Sequence, residues 1–328
     1  MNPVALRMRA LLGALALGFA ASAAIAQGDA FPQRPVKIVV PFTAGGSADF
    51  LGRLVAERLT ALWGKPVIVE NRPGASTLLG LGMVAKSAPD GYTLGMNTSG
   101  LAPQPALRKT MPFDVLEDVD FVAALVETPF VLTAHPSLGV ASARELVAWA
   151  KANPGTLNYG SFGVGSTPHI LGEILVQAIG TKIVHVPFKG SSESIAAHLA
   201  GNVQVNFDVP QQVLPHVRAG KLRALAITST KRFKDLPEVP TGPEAGMPDL
   251  DLPTTYGILA PRRLPPEVLR KLNEGFVQVL RQPEVAAALD KQAMSVVANR
   301  PEEFRADFAR TVERTRRVVA NAGIQPSD

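Results

Sequence analysis

One pattern recurs along this chain and restricts its fold more than any other. It is a β-branched apolar run, then a glycine-bearing loop, then apolar residues at helical spacing. The first copy is Val36-Lys-Ile-Val-Val-Pro-Phe42, followed by Thr43-Ala-Gly-Gly-Ser47 and a helical run from Asp49 with Leu51, Leu54, Val55, Leu59 and Leu62 in phase. The second is Leu157-Asn-Tyr159, Gly160-Ser-Phe-Gly-Val-Gly-Ser166 and a helix from about Pro168. The third is Ile183-Val-His-Val-Pro-Phe188, Lys189-Gly-Ser-Ser192 and a helix from about Glu193. Strands alternating with helices predict α/β architecture with mostly parallel sheets flanked by helices. In such sheets ligands bind beyond the carboxyl ends of the strands. Each loop delivers a helix N-terminus there, whose free amides and dipole attract anions. The three loops together predict a site for one small anionic ligand.

The order of elements predicts two lobes. After the first strand and a helix over Asp49–Trp63 come a strand at Pro66–Glu70, a turn at Asn71-Arg-Pro-Gly74, a helix over 75–87 and a strand at Tyr92–Met96. The proline-broken stretch over 103–112 reads as irregular. Strand-like runs at Phe121–Val126 and Phe130–Thr133 follow. A capping box, Ser142-Ala-Arg-Glu145, then opens a helix that stops at Asn153-Pro-Gly155. The alternation restarts and runs to a strand at Leu222–Ile227. A loop rich in Pro, Gly and acids over Pro237–Pro253 leads to a returning strand at Tyr256–Ala260. Helices from Pro265, over Pro283–Gln292 and over Pro301–Ala322 complete the chain. At 328 residues the chain is long for one core. The expectation is one lobe from 31–128 with 255–328 and another from 129–254, with a cleft between them that closes on a hinge.

The N-terminus reads as an export signal. Arg7 and Arg9 precede an apolar run from Ala10 to about Ala21, and Ala24-Ile-Ala26 is a small-x-small cleavage pattern. The expectation is a leader over 1–26, cleaved near Ala26, and a periplasmic protein; no other stretch is long and apolar enough to span a bilayer. The 33 Lys and Arg against 28 Asp and Glu give +5, and with Arg7 and Arg9 removed the exported chain carries +3. That excess suits an anionic small ligand. The basic residues are scattered, which argues against nucleic acid. There is no cysteine, so disulfides, thiolate zinc sites and a cysteine nucleophile are all excluded. His135, His169, His185, His198 and His216 show no metal-ligand spacing, and no Gly-x-Ser-x-Gly elbow occurs. No cofactor, metal or catalysis is expected.

Several stretches together carry a family resemblance: Pro41-Phe-Thr-Ala-Gly-Gly-Ser-Ala-Asp49, Val69-Glu-Asn-Arg-Pro-Gly-Ala75, Pro89-Asp-Gly-Tyr-Thr-Leu94, Asn153-Pro-Gly-Thr-Leu-Asn-Tyr-Gly-Ser161, Val186-Pro-Phe-Lys-Gly190, Gly220-Lys-Leu-Arg-Ala-Leu-Ala226 and Pro240-Thr-Gly-Pro-Glu-Ala-Gly246. In this order and spacing the chain resembles the solute receptors of tripartite tricarboxylate transporters, the Bug receptors, from Phe31 nearly to the end. The resemblance implies a two-lobed periplasmic-binding-protein fold and delivery of a solute to transporter membrane subunits. It implies a carboxylate ligand: a dicarboxylate, a tricarboxylate, an acidic amino acid or an aromatic acid. It also implies a carboxylate held between two loops, matching Phe42–Asp49 and Tyr159–Ser166 here.

The candidate residues follow from both readings. In the first loop Phe42, Thr43, Ala44, Gly45, Gly46 and Ser47 supply amide and hydroxyl donors, and Asp49 reads as a cap or brace more than a ligand contact. In the second loop Ser161, Gly163, Gly165 and Ser166 are donors, and Tyr159 either packs on the ligand or is structural. Thr98, with Ser99, ends a strand at the cleft. Phe188 is a candidate wall and Lys189 a solvated loop lysine. Asp208 is either an acceptor for a ligand ammonium or a turn or helix cap. A monomeric binding receptor is the expectation. An exported α/β enzyme on an anionic substrate, or a solute sensor of the same fold, is the alternative.

Overall fold

The computed structural model describes residues 31–326. The leader expected over 1–26 lies outside the described residues. In chain order the structure forms β1 (Val36–Val40), α1 (Ser47–Trp63), β2 (Val67–Asn71), α2 (Leu78–Ala85), β3 (Thr93–Thr98), α3 (Gln104–Leu107) and β4 (Val119–Thr128). Then come β5 (Val131–Ala134), α4 (Ala143–Ala152), β6 (Asn158–Ser161), α5 (Thr167–Ile179), β7 (Val184–Pro187), α6 (Ser191–Leu199), β8 (Val205–Asp208), α7 (Pro210–Arg218) and β9 (Arg223–Ile227). The chain ends with β10 (Thr254–Pro261), α8 (Pro266–Leu280), α9 (Pro283–Asp290), β11 (Ser295–Val296) and α10 (Pro301–Asn321).

Two sheets result. One has the order β11-β4-β10-β3-β1-β2 and the other β7-β6-β8-β5-β9. Strand β1 pairs in parallel with β2 and β3, and β6 pairs in parallel with β7 and β8. These are the strands of the recurring strand–loop–helix units. The strands that carry the chain between sheets run the other way: β10 is antiparallel to β3 and β4, and β5 is antiparallel to β8 and β9. The sheets are therefore mixed rather than mostly parallel. A strand arriving from the other sheet has no crossover helix to turn it round, so its direction is not set by the βαβ rule.

The core follows the pattern of the sequence. Val36, Ile38, Val39 and Val40 of β1 are all buried, and Leu51, Val55 and Leu59 of α1 pack on that strand. Each such side chain contributes about 1.5–3 kcal/mol by leaving water. In the second sheet Leu157, just before β6, and Tyr159 of β6 pack beneath Leu171, Ile174 and Leu175 of α5. The approach is close because α5 carries Gly172: a Cβ there would stand 2.0 Å from the Tyr159 ring.

Two details differ from the sequence expectation. The helix expected over 75–87 is broken at its start, because Ala75, Ser76 and Thr77 have positive φ after Gly74, and regular α-helix begins only at Leu78. The last helix does not belong to one lobe. Phe304, Phe308 and Val312 of α10 pack with Phe121 and Leu259 beside the first sheet, whereas Val318 and Val319 join the core of the second. Gln177 of α5 donates to the Val318 carbonyl at 3.2 Å. The stripe is continuous along the helix, so one amphipathic face serves both cores. Where the chain crosses between sheets, the Phe130 N–H donates to Thr228 Oγ1 at 2.8 Å and the Thr228 N–H donates to the Phe130 carbonyl at 2.9 Å.

Candidate functional site

The parallel strands bring the candidate loops to the carboxyl edges of the two sheets. In the first, Thr43, Ala44, Gly45 and Gly46 are exposed and Phe42 and Ser47 half-buried. Helix α1 begins at Ser47 with no side chain capping it. The one acid of its first turn, Asp49, is turned away from the role of ligand contact. It accepts from the Gly45 N–H at 2.9 Å, from Arg53 Nε at 3.0 Å and from Asn71 Nδ2 at 3.0 Å. Arg53 beside it, with these amide donors, outweighs burial and holds the carboxyl down at about 2. Asn71 also donates to the Phe42 carbonyl at 3.1 Å, which ties the loop to the end of β2. The Gly45 amide is thus engaged by Asp49, and the uncapped amides of Ser47 and Ala48 are what the loop offers an anion.

A chain of neighbours links this loop to the second lobe. The Ser47 hydroxyl hydrogen-bonds the Tyr256 phenol, which burial pushes up to about 12. Tyr256 pairs in register with Thr98 at the end of β3. A Cβ on Gly100 would lie 3.4 Å from Thr98 Oγ1 and 3.9 Å from Thr167 Oγ1. Thr98 is buried and sits between the loops. Ser99 braces the returning chain, accepting from the Thr255 N–H at 2.9 Å. Helix α3, in the stretch read as irregular, also reaches across: Leu107 joins the second core, and Leu107 and Gln104 adjoin Gly165.

In the second loop the four expected donors bond largely to their own surroundings. The Gly163 N–H donates to Ser161 Oγ at 3.1 Å, and the Gly165 N–H donates to His169 Nδ1 at 3.1 Å. Ser166 Oγ donates to the Gly163 carbonyl at 2.7 Å and caps α5 by accepting from the His169 N–H at 3.4 Å. Of the first three residues of α5, Pro168 has no N–H and His169 is capped. Thr167 is left, with its hydroxyl beside Gly100. Thr167 is not among the residues the sequence pattern singles out; its signal is the proline two residues after the capping Ser166.

Three further candidates are placed differently. Tyr159 does not face the cleft: it is fully buried, and its hydroxyl donates to Glu173 Oε1 at 2.5 Å under α5. Its parity with Leu157 along β6 puts it on the helix-covered face. Phe188 is half-buried beside the second loop, with its N–H on the Ser161 carbonyl at 3.0 Å. Asp208 is fully buried and serves α6: Ser191 Oγ lies 2.9 Å from each of its carboxylate oxygens, and the Val209 N–H donates to it at 2.8 Å. Burial pushes its carboxyl up to about 7 despite those bonds. It occupies the place of an internal cap, bonded to Ser191 and Val209. The third glycine loop is likewise engaged internally, since the Lys189 N–H donates to Glu193 at 3.2 Å.

A pocket of about 590 Å³ lies elsewhere, along α10 and the crossing strands, lined by Glu127, Asp251, Asp307, Arg310 and Arg314 among others. Neither candidate loop lines it. Among the described residues no cluster of His, Asp and Glu is arranged to hold a metal ion, and no helix is long and apolar enough to cross a membrane.

With this geometry in place, comparison with known proteins identifies relatives. The model of a family described as tripartite tricarboxylate transporter family receptor matches residues 51–324. The protein BugT of Bordetella pertussis is 35% identical over 319 residues, spanning 97% of this chain and 98% of the relative. Among solved structures, R. palustris Rpa4515 with adipate superposes with a TM-score of 0.80 at 32% identity, covering 90% of this chain and 100% of that one. MatC from Rhodopseudomonas palustris with bound malate gives 0.76 at 29%, covering 88% and 100%. The periplasmic binding protein BugD gives 0.77 at 28%, covering 90% and 100%. The architecture of this chain is the two-lobed α/β fold of these solute-binding proteins. Its kinship is with binding proteins, not enzymes.

Proposed function

The chain belongs to the tripartite tricarboxylate transporter receptor family, and from that premise we propose that it is a periplasmic receptor that captures a small carboxylate and delivers it to transporter membrane subunits. The observation that carries this reading is the uncapped start of α1 at the carboxyl edge of the first sheet, with the acid of its first turn, Asp49, tied back onto Gly45, Arg53 and Asn71. A carboxylate there meets two free amides and a helix dipole without facing an unbalanced negative charge. The hydroxyls of Thr98 from the first lobe and Thr167 from the second, both beside Gly100, add donors from each side. Charge-assisted hydrogen bonds contribute roughly 1.5–3 kcal/mol each, so four supply much of the ~8 kcal/mol of a micromolar complex.

The relatives holding adipate and malate support a dicarboxylate as the ligand. The lobes are 31–128 with most of 255–328, and 129–254, with the paired crossing at Phe130 and Thr228 as the hinge. The receptor acts as a monomer, exported after cleavage near Ala26. The test is thermal melting of the mature protein against adipate, malate, other di- and tricarboxylates and aromatic acids, with sugars as controls. A ligand at about a hundred times its Kd adds ~2.7 kcal/mol of stability. A shift confined to carboxylates is the expected result. No shift with any of them, in protein shown by mass spectrometry to carry no retained ligand, overturns the reading.

A further inference from the structure

Beneath the second loop three rings are piled on one another. Tyr159 and His185 stack at 4.8 Å between centroids and 19° between planes, and His185 and His169 at 4.2 Å and 20°. Each imidazole reaches upward into the loop. His185 Nε2 lies 2.6 Å from Ser161 Oγ, the same oxygen that accepts the Gly163 N–H. His169 Nδ1 accepts the Gly165 N–H at 3.1 Å. That bond fixes the His169 tautomer: an acceptor nitrogen carries no proton, so the proton is on Nε2, which faces Glu173 Oε1 at 3.9 Å. The same Glu173 oxygen takes the Tyr159 hydroxyl at 2.5 Å. The groups around the pair are thus Glu173 on α5, Tyr159 on β6 and each other. Burial, with the charge of His185 beside His169 adding to it, lowers both imidazoles to about 4.

These contacts do something the fold does not need. Two glycines of this loop, Gly163 and Gly165, have positive φ, and Val164 between them is 57% exposed, while Phe162 packs on the second core beside Phe130. A loop of that kind has many shapes of similar energy. The two imidazoles select one, in which the Gly165 N–H is held by His169 Nδ1 and the Thr167 hydroxyl lies beside Gly100.

We propose that His169 and His185 are positioning residues for the ligand: through Gly165 N–H and Ser161 Oγ they hold the second-lobe loop in the shape that presents Thr167, and ligand affinity depends on the acceptor at His169 Nδ1. The proposal rests on the receptor reading above and deepens it. Its test uses two variants of one position. His169→Phe keeps a ring in the stack and loses the acceptor. His169→Asn gives up the ring and keeps an acceptor oxygen where Nδ1 stands. Affinity for adipate and malate is measured by calorimetry, and exchange of the Gly165 amide by NMR in protein without ligand.

The expected result is an affinity about tenfold lower in the Phe variant and within about threefold of wild type in the Asn variant, one hydrogen bond being lost in the first case and kept in the second. Gly165 exchange rises in the Phe variant alone. Equal affinity and equal Gly165 exchange in wild type and His169→Phe overturn the proposal. So does loss of affinity in the Asn variant equal to that in the Phe variant, which marks a packing role. If wild type binds no carboxylate, the receptor reading is what fails, and the exchange contrast still decides whether His169 sets the loop. Should His169→Phe not fold, Ser161→Ala removes the oxygen between His185 and Gly163, and the same tenfold loss is expected.

Discussion

At the scale of single residues, the two candidate loops differ in how many of their donors are free. Gly46 has φ −84°, and a Cβ there would meet nothing closer than the Thr43 carbonyl at 3.9 Å. Gly46→Leu therefore leaves the fold intact and places a side chain over the amides of Ser47 and Ala48. We expect an unchanged melting temperature and an affinity reduced at least about tenfold, the loss of one charge-assisted bond; calorimetry with adipate checks both halves. Asp208 gives a prediction of the opposite kind. Its carboxyl titrates near 3.8 when exposed and at about 7 in the fold, so the folded state holds the proton more tightly. Stability is then greatest below the lower value, declines as pH rises through that window, and levels off above pH 7. Asp208→Asn cannot ionise and keeps a partner for Ser191. It should gain on wild type between pH 4 and pH 8 by up to about 4 kcal/mol, read from urea unfolding at the two pH values. An equal difference at both would place the titration elsewhere. The role of Asp49 as a brace was legible from its place just after two glycines at the start of a helical run. The burial of Tyr159 was equally legible, in its parity with Leu157, but a tyrosine at a loop mouth suggests ligand stacking first.

At the scale of elements, close approach decides what each helix can do. Helix α5 lies directly on β6 because Gly172 offers no side chain to the Tyr159 ring. Gly172→Ala would force α5 outward and with it Ser166, Thr167 and His169. We expect a destabilisation of about 1–3 kcal/mol by overpacking, and a weaker ligand affinity in protein that is still folded. Unchanged affinity in a destabilised variant would separate the register of α5 from the site. Strand and helix positions were readable from apolar spacing in both lobes. What spacing did not reveal was the backbone at 75–77. Nothing in Ala-Ser-Thr announces three successive residues with positive φ, a conformation only the surrounding packing stabilises. The direction of β5 and β10 was hidden for a related reason: a strand's own residues encode burial on two faces, not which neighbour it pairs with.

At the scale of the whole molecule, α10 ties the lobes together. Its first half is in one core and its last turns in the other, and Arg314 donates to the carbonyls of Asp249 and Asp251 on the returning chain. If the lobes close on a ligand as proposed, the Phe130–Thr228 crossing is the expected hinge, with α10 along one side and the two loops approaching on the opposite side. Spin labels at Ala44 and Val164, both exposed, report it. The chain has no native cysteine, so Ala44→Cys with Val164→Cys gives a single labelled pair. Their separation should shorten on addition of adipate at saturating concentration; an unchanged distance distribution in protein that binds adipate would exclude closure as the response.

The sequence by itself determined the alternation of strand, glycine loop and helix, the division into two α/β lobes, the place of the helix N-termini and the family. These depend on local propensity, on apolar periodicity and on the order of motifs, all written along the chain. Only the tertiary structure decided which loop amides are engaged internally. The hydrogen bonds that engage Gly45, Gly163 and Gly165 come from Asp49, Ser161 and His169, and the stack that supports the second loop brings His185 from another strand. It also decided that Asp208 is an internal cap and that α10 belongs to both cores. In each case the deciding quantity is the direction of a side chain relative to residues far away in sequence, and a linear pattern fixes the face of an element without fixing what that face meets.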